Sequence, residues 1–592
     1  MRRYKSILVG LLVLGLFASL TVAQEIKNPD TFIKVTYNSV ETLDPQFMIS
    51  SATTEISDNV MNSLLDHPKG QMEVFIPSLA EIVPSLDNGL LTIADDGTTF
   101  VTFVIRSGVT FHEGGTLTAE DVEYTFERAL LVGAIYENYP MLAISLLGMD
   151  FATLVDEVGY DAAFDQLDAA IEASDRSVTF RLPKPFVPFL GIVADSGAGT
   201  GILDKEWCIQ QGCWDGTKGS GQDHMGLTLE GDPLFDKMNG TGPFKLVTWE
   251  PGERIVLERF EDYWEGPAKI KRIVRQIVTD NQAAILLFNN GDADFYDIVD
   301  PAAVPQIKGT PGVIVHEGLP VTMLRKINFN MDVAEGSQYV GSGQLDGEGI
   351  PSDFFADKDI RLGFLYAFDY DAFINEVMLG ASLKPYGPVL IGFPTANPDN
   401  PTYSLDMEKA EEHFRAALGG EVWEKGFTFI ATYSAGSTHR QRCMEILQTN
   451  LAAINPKFVI ETAAVPWATY SAEFNNRVSL LTVMGFIPTV FDPYLTLFEH
   501  MHSSGGYPNR MGYAELATTK YDALVEELGS TFDMDRRTEI SHQLQLWSYE
   551  DALAIMHQQG VQNIALRDWV QGWYATAAPF NIDFYPIYKA YE

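Results

Sequence analysis

Only one stretch of this chain approaches a membrane span, and it lies at the very start. The rest of the chain is therefore expected to fold as a soluble protein rather than to span a bilayer. Arg2, Arg3 and Lys5 precede a weakly polar-to-apolar run from Ile7 to Val22, which closes on Thr21-Val22-Ala23 before Gln24. Basic, then apolar, then small residues is the anatomy of a secretory signal peptide. The run is shorter than the ~20 apolar residues of a spanning helix, and Gly10, Gly15 and Ser19 dilute it. Residues 1–23 are thus expected to be a signal peptide rather than an anchor. Arg2-Arg3 lacks the context of twin-arginine export. No Cys lies near the cleavage point to accept a lipid, so the mature chain is expected to be soluble in the periplasm or outside the cell.

A chain of 592 residues exceeds one small core, so several domains are expected. Its 46% hydrophobic and 12% aromatic content fits a packed globular protein rather than a disordered one. Against 80 acidic residues stand 40 Lys and Arg, a formal charge of −40. Such a surface argues against nucleic acid, whose phosphates need clustered cations, and it repels anionic membranes. Cys208 and Cys213 lie close together between Trp207 and Trp214. In an oxidising compartment they are expected to form a local disulfide. No CxxC or His cluster supplies metal ligands beside them, and Cys443 reads as a buried apolar residue on a helix.

Strand and helix patterns alternate irregularly, which indicates mixed α/β lobes. Phe100–Ile105 and Val178–Leu182 read as strands. Thr118 is a good N-cap with an acid three residues on, and Val122, Phe126, Ala129 and Leu130 then form one apolar face. A second helix from Asp406 puts Met407, Ala410, Phe414, Ala417 and Leu418 on one face and stops at Gly419-Gly420. A third carries Leu447, Leu451 and Ile454, and a fourth follows Asp533 with Ile540, Leu544 and Trp547 inward. Asp215–Asp232 and Gly336–Asp353 read as surface loops, and no fixed-period repeat or heptad is visible.

A colinear set of segments carries a family resemblance. Thr42-Leu43-Asp44-Pro45 comes first. Gly108-Val109-Thr110-Phe111-His112-Glu113-Gly114 then leads into Leu117–Val122 and Phe126-Glu127-Arg128-Ala129-Leu130. Gly240-Thr241-Gly242-Pro243-Phe244, Trp249 and Tyr263-Trp264-Glu265-Gly266-Pro267 follow, then Asn290-Gly291-Asp292-Ala293-Asp294. Asp359-Ile360-Arg361, Ala367-Phe368-Asp369, Phe491-Asp492-Pro493 and Asp533–Arg537 complete the order. Together these resemble the extracytoplasmic solute-binding proteins of ABC transporters, specifically the oligopeptide/dipeptide/nickel-binding family (family 5), over nearly all of the mature chain.

The resemblance implies an α/β, two-lobed periplasmic-binding-protein fold of the hinge-bending type II, with an extra third subdomain. Projected here, lobe one would hold 24–70, 195–305 and 551–592, the extra subdomain 71–194, and lobe two 306–550. It implies a monomer that closes on a small-molecule ligand and delivers it to ABC permease subunits, without a cofactor and without enzyme activity. Peptides lead and oligosaccharides are the alternative. The cleft-lining stretch would be Met484–Pro493. Peptide binders commonly have an Asp where this chain has Thr489, and Thr489 cannot pair with a ligand's amino group. Phe486 stands for a frequent Trp. Asp492 belongs to the Asp-Pro motif and reads chiefly as a loop brace. Tyr37, Asn38, Trp467 and Tyr494 complete the candidate ligand-binding residues.

Other chemistry is weakly signalled. Glu499-His500-Met501-His502 has no further ligand placed beside it by spacing, so no metal is expected. Gly197–Gly201 lacks the spacing of a nucleotide loop, and Asp346, Glu348 and Asp353 fail the EF-hand pattern. Neither a Gly-x-Ser-x-Gly elbow nor HExxH supports a secreted hydrolase. A ligand sensor without transport has the same sequence signature as a transporter receptor.

Overall fold

The computed structural model describes residues 26–591 apart from 48–49, 70, 72–73, 134–138, 195–198, 489 and 577–580. The expected signal peptide, Thr489 and part of Gly197–Gly201 lie outside the described residues. A nine-stranded sheet is the backbone of the molecule. Its path runs Leu481–Phe486, Val313–Phe329, Ala554–Arg567, Phe295–Ile298, Thr31–Thr36, Arg272–Ile277, Arg254–Arg259 and Phe244–Glu250, with Ser382–Leu383 beside Ala554–Arg567. Thr31–Thr36 is parallel to both of its neighbours, while the remaining pairs are antiparallel.

Two strands are far longer than the rest, Val313–Phe329 with 17 residues and Ala554–Arg567 with 14. They form a ribbon that joins the two lobes. Val313–His316 pairs with Ile564–Arg567 at the lobe-one end, and Leu324–Asn328 with Ala554–Gln559 at the other. Between these ends the register slips at His316/Leu319 and again at Pro320/Leu324. Gly318 adopts φ 69°, and Pro320 cannot donate to the ladder. A third slip falls at Arg325/Lys326, and this irregular pairing gives the ribbon a hinge.

A separate four-stranded sheet, ordered Leu91–Ile93, Thr99–Val104, Ser177–Leu182 and Ile171–Ser174, builds the extra subdomain. The helix Ala119–Val132 packs on it. Its start is set locally, because Thr118 Oγ accepts from Asp121 N while the Asp121 carboxylate accepts from Thr118 N at 2.8 Å. Val122, Phe126, Ala129 and Leu130 are buried as expected, but so are Thr125, Glu127 and Arg128 on the other side. The single apolar face is therefore a misreading, since Asp44–Phe47 covers the opposite face. Arg128 forms an ion pair with Asp44 at 2.6 Å, and Gln46 donates to Thr125 O at 2.7 Å. Asp232 lies 3.6 Å from the same guanidinium, its carboxyl pushed up to about 8 by burial and by Asp44. The motif residues Asp44 and Arg128 thus hold two distant chain segments together. Gly240 and Gly242 allow a backbone approach, because a Cβ at Gly242 would sit 2.6 Å from the Val60 carbonyl carbon.

Other local readings are corrected in part. The helix Met407–Ala416 starts on Asp406 and buries Ala410 and Phe414, but Ala417 caps its end and Leu418 turns out at φ 47°. Asp215–Asp232 contains three short helical turns rather than plain loop. Cys443 is buried on Thr438–Ile454. The expected Cys208–Cys213 disulfide is not formed, and both side chains are buried free thiols. Cys208 lies inside the helix Lys205–Gln211, which ends at Gly212 with φ 100°, and Cys213 N donates back to Cys208 O at 3.0 Å.

The lobes also meet away from the hinge. Phe186–Ile192, anchored by Phe189 on Phe180 at 5.1 Å, reaches lobe two. Val187 N donates to Gly529 O at 2.8 Å. Phe186 meets Tyr494 edge-on at 5.2 Å. Gly191 lies against the Val490 side chain.

Candidate functional site

Beside the start of the helix Thr438–Ile454 lies a cavity of ≈ 670 Å³. Val299, Asp300 and Pro301, just after the strand Phe295–Ile298, form part of its wall, together with Val377, Ser434–Arg440 and Trp467. The volume falls within the range of about 300–1,000 Å³ for small-ligand sites. A second cavity of ≈ 680 Å³ adjoins it through Val377 and Thr438.

Strand ends and helix starts position these groups. Phe427–Ser434 and Phe458–Val465 run parallel and in register, so the turn after Ser434 and the helix Trp467–Asn475 open at the same end of their two-stranded sheet. Trp467 stands 50% exposed at that helix start. Arg440, two residues into the helix Thr438–Ile454, lies with its guanidinium 4.9 Å from the Trp467 ring centre. It donates to Val483 O at 3.0 Å and Ser434 Oγ at 2.9 Å.

Behind this wall stands Arg325, on the hinge strand. Gly485 pairs with it across the sheet, and a Cβ there would lie 3.7 Å from the Arg325 stem. Burial, then the neighbouring Arg440 charge, lower the Arg325 pKa, and the Tyr37 hydroxyl lies in electrostatic reach. His439 Nδ1 is 3.2 Å from Ser437 Oγ, while its buried Nε2 has no partner. Burial, then Arg325 and Arg440, push His439 down to about 3. His557 is likewise pushed to about 3 by burial, with Cys443 Sγ at 3.6 Å from its Nε2.

The candidate residues divide into two groups. Tyr37, at the end of the first strand and 43% exposed, and Trp467 both come to the Arg325–Arg440 cluster. The others do structural work or lie apart. Asn38 accepts from the buried Arg275 through its carbonyl at 2.8 Å and through its side-chain oxygen. Phe486 packs edge-on against His500 at 5.0 Å, on the sheet face opposite Arg325. Asp492 binds Arg537 with both oxygens, at 2.5 and 2.6 Å, and caps the helix Pro493–Met501. Tyr494 is buried in the closing contact. His500 and His502 diverge, the first stacking on Tyr507 and the second on Phe498.

Sequence reasoning missed Arg325, His439 and Arg440. The signal was Arg325-Lys326 inside the apolar run Val321–Phe329, where strand alternation sends adjacent cations to opposite faces. Lys326 accordingly lies 3.5 Å from the Tyr507 ring centre on the Phe486 side. Among the described residues no helix is long and apolar enough to cross a membrane.

Comparison with known proteins sets this architecture in context. Residues 75–508 match the family described as bacterial extracellular solute-binding proteins, family 5 Middle. The dipeptide-binding protein of Escherichia coli K12 is 25% identical over 590 residues, covering 95% of this chain and 96% of that protein. Heme-binding protein A of Haemophilus influenzae is 24% identical, covering 94% and 92%. A solved Helicobacter pylori periplasmic binding protein, in complex with the peptide STSA, superposes with a TM-score of 0.67 at 19% identity, covering 94% of this chain and 98% of that one. At that identity the likeness shows the fold.

Proposed function

This chain belongs to the bacterial extracellular solute-binding proteins of family 5, and from that membership we propose that it is the receptor of an ABC importer. It captures a peptide in the interlobe cavity and presents the closed form to permease subunits in the membrane. It acts as a monomer outside the cytoplasm, without a cofactor and without a catalytic step. The observation that carries the reading is a cavity walled by segments of both lobes, in a fold whose lobes are joined by a ribbon of irregular register. Ligand contacts made only in the closed form shift the open–closed equilibrium toward closure. Relatives that bear the names of a dipeptide binder and a heme binder support a ligand of small-peptide size. The division of the chain follows the projected segments. We place the crossings between lobes at the ribbon's irregular stretch, near Gly318–Pro320 and Gly560, C-terminal to the projected 306 and 551.

The test is thermal unfolding of residues 24–592, first unfolded and refolded to strip carried ligand, against di- to pentapeptides, oligosaccharides and nickel. A ligand at ~100 times its Kd adds ~2.7 kcal/mol of stability. Stabilisation by peptides is the expected result. Stabilisation by oligosaccharides alone replaces peptide with sugar, stacked on Trp467. Stabilisation by nickel alone rejects the organic ligand.

A further inference from the structure

We propose that a third cavity, of ≈ 40 Å³, is a separate ligand site that takes a small zwitterionic amino acid. The ammonium end meets Asn400 and Ser548, and the carboxylate end meets Lys384.

The cavity lies between the segment 384–403, the helix Met534–Glu550 and the first residues of the strand Ala554–Arg567. It shares no lining residue with either larger cavity. Two polar side chains of its wall are buried, Asn400 at 6% exposure and Ser548 at 4%. Each keeps an atom without a hydrogen-bond partner, Asn400 Oδ1 and Ser548 Oγ. Buried polar atoms are nearly always paired, so two orphans in the wall of one small cavity mark partners that the fold does not supply. Asn400 Nδ2 donates to Tyr386 O at 2.7 Å, which fixes the amide and leaves its oxygen as the free acceptor. The half-buried Lys384 completes the set. Its ammonium lies 4.8 Å from the Tyr370 ring centre, and no carboxylate is in ion-pair contact with it among the described residues.

These groups set the chemistry of the occupant. Asn400 Oδ1 can only accept, so it requires a donor. Lys384 Nζ can only donate, and an anionic acceptor pairs with it best. Tyr403 stacks on Tyr549 at 4.3 Å and donates its hydroxyl to Tyr549 O at 2.6 Å. With that hydroxyl engaged, Tyr403 offers the cavity only its ring, and aromatic faces attract a cation. A cationic donor at one end and an anion at the other is a zwitterion. Size points the same way. At about 10–15 Å³ for each water-sized group, the cavity holds about three. Ammonium, methylene and carboxylate are the three groups of glycine. Water alone satisfies hydrogen bonds but brings Lys384 no counter-charge.

The experiment titrates the stripped mature chain, residues 24–592, with isotope-labelled glycine, glycinamide and acetate, and reads binding by NMR line broadening. Wild type should bind glycine about tenfold more tightly than either analogue, since each analogue lacks one charged contact. Lys384→Met should bind glycine no better than glycinamide. Ser548→Ala should bind glycine about fivefold more weakly. Its ligand-free Tm should hold or rise, because alanine removes an unpaired hydroxyl and favours the helix. No broadening of glycine by wild type overturns the proposal and leaves the cavity to water. Equal glycine binding by all three proteins also overturns it, because the amino acid then sits elsewhere. A lowered ligand-free Tm in Ser548→Ala overturns the role of the hydroxyl, which would then be satisfied within the fold. These outcomes leave the interlobe reading untouched, since the thermal screen tests that cavity by itself.

Discussion

The closing contact permits a perturbation that separates ligand capture from folding. Gly191 sits in the short helix Phe189–Ile192, and a Cβ there would lie closer than 3.0 Å to Val490 Cγ1. Carbon atoms in contact prefer about 3.5–4.0 Å, so Gly191→Ala needs a separation on the order of 1 Å. The methyl's other neighbour, Phe75 Cζ at 3.8 Å, is at ordinary contact distance and asks for nothing. Val490 is 4% exposed and has little room to turn. Overpacking of this kind costs about 1–3 kcal/mol. Gly191 belongs to the segment anchored on the extra subdomain and Val490 to lobe two, so opening the lobes relieves the clash. The cost therefore falls on the closed form, and ligand affinity drops by about 5- to 150-fold. Calorimetry with the ligand found in the thermal screen reads the affinity, and the Tm without ligand reads the fold. Val490→Ala removes the clashing methyl, so Gly191→Ala/Val490→Ala should regain most of the loss. A lowered ligand-free Tm with unchanged affinity would refute the reasoning, because the contact would then belong to the folded core and not to closure.

Three further outcomes follow from the buried polar groups. Asp492→Asn leaves the Arg537 guanidinium, 1% exposed, without its charged partner, and should cost about 3 kcal/mol in urea unfolding. If stability holds while affinity collapses, Asp492 is a ligand contact instead. Glu127 is pushed up to about 8 by burial, then by Glu123 and Asp168, from an ordinary 4.5. The folded state therefore keeps a proton that the unfolded state releases. Its contribution is present below about 4.5 and is lost as pH rises toward about 8, by up to about 1.36 kcal/mol per pH unit. Between pH 5 and 8, Glu127→Gln should lose less stability than wild type, and parallel profiles would contradict the assignment. Cys208 and Cys213 should react with a thiol reagent only after unfolding, and an intact mass two hydrogens short would show that the pair is oxidised.

The local features of the fold were legible in the sequence because their causes are local. Thr118 and Asp121 cap a helix start through bonds spanning three residues, and Asp406 does the same for the helix that it begins. The colinear motifs carried the family and, with it, the two-lobed architecture. What they could not convey is why Asp44 and Arg128 belong together, since a separation of 84 positions is bridged only by tertiary packing. The buried second face of Ala119–Val132 and the outward turn of Leu418 were decided by neighbours remote in the chain. The site divides along the same line. Tyr37 and Trp467 were reachable from motif positions, whereas Arg325, His439 and Arg440 become one cluster only when a hinge strand and a helix start meet. Sequence by itself determined the elements and the family, because hydrogen-bond spacing and apolar periodicity act over a few residues. Tertiary structure alone decided which charges are left without partners, because an ion pair depends on distance in space and not along the chain.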